Sequence, residues 1–196
     1  PYLSSLAATV ATMRLAVLVS GTGSTLEAIA NSELSVALVL ADRQCSALEK
    51  AQNKNIPTIV LERESFGKDF DRIAYTEQLT QLLEEENIDL IAMAGFGTIL
   101  EQPIYESFNQ RILNTHPSLL PAFPGWNAVQ DALNQGVKVS GCTIHIATRE
   151  VDSGPILAQE AVPVFEDDDA ATLHERIKKI EKSLYIETIK EIVKQK

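Results

Sequence analysis

The chain has 196 residues and a formal net charge of −10, from 27 Asp and Glu against 17 Lys and Arg. Its length fits one domain, and an apolar content of 45% suffices for a sizeable core. An acidic chain is a poor general nucleic-acid binder, because phosphate contacts need clustered cations. No apolar run approaches the roughly 20 residues of a membrane span.

Residues 1–13 carry no acidic or basic group. They lack the basic start of a secretory signal, and are read as an extension before a single domain over residues 14–196. Met13, directly before the first strand, would itself make a sensible start. Residues 14–19 form an apolar strand, followed by Ser20-Gly21-Thr22-Gly23-Ser24-Thr25 and a helix carrying Leu26, Ala28, Ile29 and Ala30. Strand, glycine turn and helix start make a phosphate cradle, with free amides and the positive helix end facing an anion. The turn is not a full dinucleotide fingerprint, since the third glycine would fall at Leu26. Asp42, at the end of the next strand, keeps a ribose-binding acid and an NAD reading open.

Residues 35–41 read as a second strand, 47–55 as a helix and 57–61 as a third strand. This alternation implies a parallel sheet with right-handed crossovers. Residues 62–71 are a charged loop. Arg72 begins a helix whose Ile73, Leu79, Leu82 and Leu83 lie near one face. Residues 88–94 form a fourth buried strand that runs into Gly95-Phe96-Gly97-Thr98-Ile99-Leu100. Cys45 and Cys142 stand far apart and read as reduced cytosolic thiols, not as a disulfide frame or a metal site.

Ile112 and Leu113 end another buried strand, and Asn114-Thr115-His116-Pro117-Ser118-Leu119-Leu120-Pro121 follows. Period-two geometry points Asn114 and His116 to one face. The prolines then stop the ladder. An amide and an imidazole therefore stand side by side at the carboxyl edge of a sheet, where open α/β sheets bind ligands. An amide can donate to a developing oxyanion, and an imidazole can move a proton near neutral pH.

Residues 127–134 form a helix closed by Gly136. Residues 139–147 and 156–165 form a hairpin-like pair of strands around the turn Arg149-Glu150-Val151-Asp152-Ser153-Gly154-Pro155. An Asp before Ser-Gly-Pro is ordinarily a turn former. His145 sits in a strand and reads as a satisfied core or edge residue. Neither it nor His174 stands in a motif like that of His116. Glu166 to Asp169 suits a helix start. Its consecutive carboxylates point in different directions, so no metal site is expected. The last helix carries Leu173, Ile177, Ile180, Leu184 and Ile189 or Ile192 on one stripe, with Glu181 at the stripe's edge.

The octapeptide from Asn114 to Pro121 resembles the signature of the folate-dependent formyltransferases. With the compact chain around it, it is similar to the branch acting on glycinamide ribonucleotide in purine synthesis. The resemblance covers residues 14–193. It implies an α/β fold: a single open, mostly parallel twisted sheet flanked by helices, Rossmann-like. It implies formyl transfer from 10-formyltetrahydrofolate as co-substrate, without a metal, in a cytoplasmic monomer or homodimer. Asn114, His116 and Asp152 match the family's catalytic residues. The Asp152 carboxylate would favour the charged imidazole and hold its orientation. Gly23, Ser24 and Thr25 match the backbone that holds the substrate phosphate, and Glu181 the acid that grips the ribose. Arg72 matches an arginine on the folate. Gly97, Thr98, Ile99 and Leu100, with Asn114, match the wall that reads the pterin. Gly97-Thr98 departs from the Met-Arg often found there, which puts an arginine contact to the cofactor tail in doubt.

Three alternative functions would need a feature that the sequence lacks or leave one without use. The branch acting on methionyl-tRNA adds a basic RNA-binding domain after the catalytic one, whereas this acidic chain stops soon after Asp152. A formyltetrahydrofolate hydrolase would carry an amino-terminal regulatory domain. A catalytically silent nucleotide-binding module would have no need of Asn114, His116 and Asp152 together.

Overall fold

The structure, a computed structural model, describes residues 13–65 and 67–194. The expected extension lies outside them except for Met13, which packs against the core. The strands are β1 (Leu15–Val19), β2 (Val36–Ala41), β3 (Thr58–Val60), β4 (Leu90–Met93), β5 (Ile112–His116), β6 (Val139–Ile146) and β7 (Ile156–Pro163). The helices are α1 (Ser24–Ala30), α2 (Ser46–Gln52), α3 (Arg72–Glu85), α4 (Gln102–Ser107), α5 (Ala128–Asn134) and α6 (Ala170–Lys194). One seven-stranded sheet has the order β3-β2-β1-β4-β5-β6-β7. Strands β1 to β5 pair in parallel, and β6 and β7 add antiparallel. No helix among the described residues is long and apolar enough to cross a membrane.

The apolar run of β1 is explained by burial on both faces. Leu15, Val17 and Val19 pack with α1, α2 and α6, while Ala16 and Leu18 pack with α3 and α4. A third cluster joins Val129 of α5, Cys142 and Val162 to Leu173 and Ile177 of α6. Helix α4 is an addition to the sequence reading: six residues, with Pro103 in the first turn, where a missing N–H costs nothing.

Two helix faces differ from expectation. In α3, Ile73 is 56% exposed, and Tyr75 joins Leu79 and Leu83 in the core instead. In α6 the buried row is Leu173, Ile177, Glu181, Tyr185 and Ile189, with Ile180 and Leu184 only partly buried beside it. Glu181 therefore lies in the middle of the stripe, not at its edge. The row steps by four residues, as one face of a helix does. The Tyr185 hydroxyl donates to the Met93 and Leu113 carbonyls at 3.1 and 3.0 Å, tying α6 to β4 and β5.

The strand order reverses between β1 and β4. The loops after these two strands open a crevice at the carboxyl edge, the position that binds ligands in this kind of sheet. The end of β5 borders the same crevice.

Candidate active site

Strand β5 delivers Asn114 and His116 to that edge, and Thr115 between them also lines the cleft, on the side of Glu181. The His116 Nε2–H donates to the Phe123 carbonyl at 2.8 Å, and Nδ1 lies 3.4 Å from Asp152 Oδ2. A ring with hydrogens on both nitrogens serves both acceptors. His116 and the Asp152 side chain are both buried. Asp152 adopts φ +55, uncommon for a residue with a side chain. Its turn lies tight against β6, because a Cβ on Gly154 would fall 1.8 Å from the Ile146 carbonyl oxygen. The Gly125 N–H donates to Asp152 Oδ2 at 2.8 Å. Thus the turn after the octapeptide holds the imidazole by one backbone group and the carboxylate by another.

His145 belongs to this cluster, contrary to the sequence reading that left it without a context. The antiparallel register sets it opposite Asn114. Its Nδ1–H donates to the Ile146 carbonyl at 3.0 Å, so Nε2 is left to accept from the Asn114 amide at 3.2 Å. Asp152 Oδ1 is 3.7 Å from the same nitrogen. Burial lowers the His145 pKa, which suits this neutral form. One amide hydrogen of Asn114 is thereby fixed, and the other remains for a ligand oxygen.

The cleft in front of these groups has a volume of about 480 Å³. The turn from Gly21 to Thr25 lines one part of it, and His174, Lys178 and Glu181 of α6 line another. Gly23 has φ +71, and a Cβ there would fall 2.6 Å from that of Ala47, so only glycine lets α1 and α2 approach this closely. Burial drives the Glu181 carboxyl up to about 7. The Thr115 hydroxyl works against that rise from nearby, without a formed hydrogen bond.

The loop after β4 forms a further wall through Gly95, Phe96, Thr98, Ile99 and Leu100. Thr98 is buried and donates to Asp42 at 2.8 Å. Burial alone would raise the Asp42 carboxyl, but hydrogen bonds from Arg43, Ser20 and Thr98 hold it below its ordinary value. Asp42 is thus committed to bracing this wall and is fully buried, so it does not serve as the ribose acid of an NAD site. Gly97 donates its N–H to Ser20 at 2.6 Å and supports the wall from behind. Arg72 is not among the cleft residues and pairs with Glu101 at 3.6 Å. Among the described residues, no group of three or more His, Cys, Asp or Glu is arranged to hold a metal.

The formyl transferase family profile matches residues 13–189. This chain belongs to the formyl transferase family. A phosphoribosylglycinamide formyltransferase of Mycobacterium tuberculosis is 41% identical over 181 residues, covering 90% of this chain and 83% of the relative. One from Bacillus subtilis is 36% identical, covering 92% and 94%. The human trifunctional purine biosynthetic protein adenosine-3 is 41% identical, but the match spans only 17% of its length. Among solved structures, glycinamide ribonucleotide transformylase 1 of Symbiobacterium toebii superposes with a TM-score of 0.87 at 37% identity, covering 94% of this chain and 89% of that one.

In this member of the family the cleft brings together Gly23, Ser24, Thr25, Thr98, Ile99, Leu100, Asn114, His116, Asp152 and Glu181. Sequence reasoning missed His145, Lys178, His174 and Trp126 among the cleft residues. Lys178 was accessible in principle, since it lies three residues before Glu181 on the same helix face. His145 was not, because an antiparallel register cannot be read from a strand in isolation.

Proposed function

We propose that this formyl transferase moves the formyl group of 10-formyltetrahydrofolate to the amine of glycinamide ribonucleotide in purine synthesis. The observation that carries the reading is the meeting of Asn114, His116 and Asp152 with the glycine turn and Glu181 in one cleft. The names of the M. tuberculosis and B. subtilis relatives support that acceptor. The backbone of Gly23, Ser24 and Thr25 holds the phosphate, with Lys178 as its cation, and Glu181 accepts from the ribose hydroxyls. The wall from Thr98 to Leu100 reads the pterin, and Arg72 meets the anionic folate tail beyond the cleft.

The substrate amine attacks the formyl carbon, and the carbonyl electron pair moves onto oxygen. The free Asn114 N–H and the His116 Nε2–H stabilise that oxyanion, the latter by exchanging the Phe123 carbonyl for the formyl oxygen. Collapse re-forms the carbonyl and breaks the bond to folate N10. That nitrogen keeps the electron pair and takes up a proton, while the amine loses one. Asp152 orients His116 and balances its charge. The two free thiols, Cys45 and Cys142, support a reducing, cytoplasmic setting.

The test mixes the purified protein with both reactants and follows deformylation of the folate by absorbance. Turnover that requires both supports the assignment. Deformylation at the same rate without glycinamide ribonucleotide, or none with it, overturns it.

A further inference from the structure

Trp126 is the only tryptophan in the chain, and at 77% exposure it is the most exposed large apolar side chain among the described residues. It lines the active-site cleft. Two other exposed apolar side chains, Ile99 and Val151, line the same cleft. Among the described residues, three of the eight exposed large apolar side chains thus border the cleft, where an exposed apolar patch can receive a ligand. Trp126 follows Gly125, whose N–H holds Asp152, so its place is tied to the catalytic cluster.

We propose that Trp126 is a binding residue for the co-substrate and stacks its indole on the aromatic part of the formyl-folate. The inference rests on the two reactants named above. Glycinamide ribonucleotide has a phosphate, a ribose and an amide but no aromatic ring. The folate has a pterin and a benzoyl ring. Indole faces pair with flat rings in offset or edge-to-face contact, beyond what area burial alone gives. Of the two reactants, only the folate offers such a face. The water-exposed indole then gains its partner when the folate binds.

The single tryptophan makes the test direct, because all tryptophan emission comes from Trp126. Adding 10-formyltetrahydrofolate alone, with correction for its absorbance against free N-acetyltryptophanamide, should quench or shift the emission saturably. Glycinamide ribonucleotide alone should leave it nearly unchanged. Trp126→Ala should raise KM for the folate about ten-fold and leave KM for the ribonucleotide within about two-fold. Trp126→Phe should restore most of the folate affinity, and Trp126→Leu, with bulk but no ring, should not. Equal recovery by Leu and Phe, an unchanged folate KM in the Ala variant, or emission that ignores the folate overturns the stacking contact. A wild type that transfers no formyl group overturns the proposed function instead. In that same protein, folate-dependent quenching still supports the contact and its absence refutes it.

Discussion

Glu181→Gln tests the α6 face of the site most sharply. The carboxyl sits in a row of buried apolar side chains and titrates near 7 in the folded protein, against 4.5 ordinarily, chiefly because burial disfavours its charge. At about 1.4 kcal/mol per pH unit, the empty protein carries a penalty of about 3 kcal/mol when the group is ionised. The sign follows from proton binding. The folded state holds this proton more tightly than the unfolded state, so stability falls as pH rises from about 4.5 to about 7 and levels off above. Glutamine does not ionise, so the variant escapes that loss, although its buried amide forfeits some hydration. At pH 8 it should be about 1–3 kcal/mol more stable than wild type, or about 2–4 °C in Tm for each kcal/mol. At pH 4.5 the two should nearly coincide. Thermal unfolding without ligands, from pH 4.5 to 8.5, is the assay. In the same variant KM for the ribonucleotide should rise, with kcat changed less, because the ribose loses a charged acceptor. A pH-independent difference, or a less stable variant at pH 8, would refute the buried-carboxylate argument.

Three further outcomes are expected. Asn114→Ala should lower kcat by about 10²–10³ with little change in KM, as removal of one oxyanion donor does; near-normal turnover would make the amide structural. Asp152→Asn and His116→Asn should each lose most activity. Their double variant should lose far less than the product of the two, because the residues touch and act together; multiplicative losses in kcat/KM would separate them. Gly23→Ala should destabilise the fold before it affects binding, since its Cβ meets Ala47 and its φ is positive; chemical denaturation reads this, and an unchanged midpoint would contradict the packing argument.

The parallel half of the sheet was legible because its strands are buried on both faces and read as unbroken apolar runs, as in residues 15–19 and 36–41. The octapeptide was legible because alternation fixed the face shared by Asn114 and His116. What stayed hidden depended on contacts across the chain. His145 joined the site through its register with β5. Periodicity puts Glu181 at the stripe's edge because a charged side chain in mid-stripe breaks the apolar pattern, and only a cleft beside that helix face accounts for it. Ile73 was assigned inward on periodicity, yet it lies in the first turn of α3, where the end of the helix clears the core and Tyr75 takes over. Thr98 stood for a lost arginine in the sequence, whereas in the fold it is a brace on Asp42.

In the proposed reaction Asn114, His116 and Asp152 pass a formyl group directly between two ligands in one cleft. Supplying 10-formyltetrahydrofolate labelled with ¹³C in the formyl group, together with glycinamide ribonucleotide, and following the label by NMR tests it most directly. The ¹³C should appear as a formamide on the ribonucleotide amine, in step with loss from the folate, and the Asn114→Ala and His116→Asn variants should slow this transfer. Label released as free formate, or formamide formed equally fast by those variants, would contradict it.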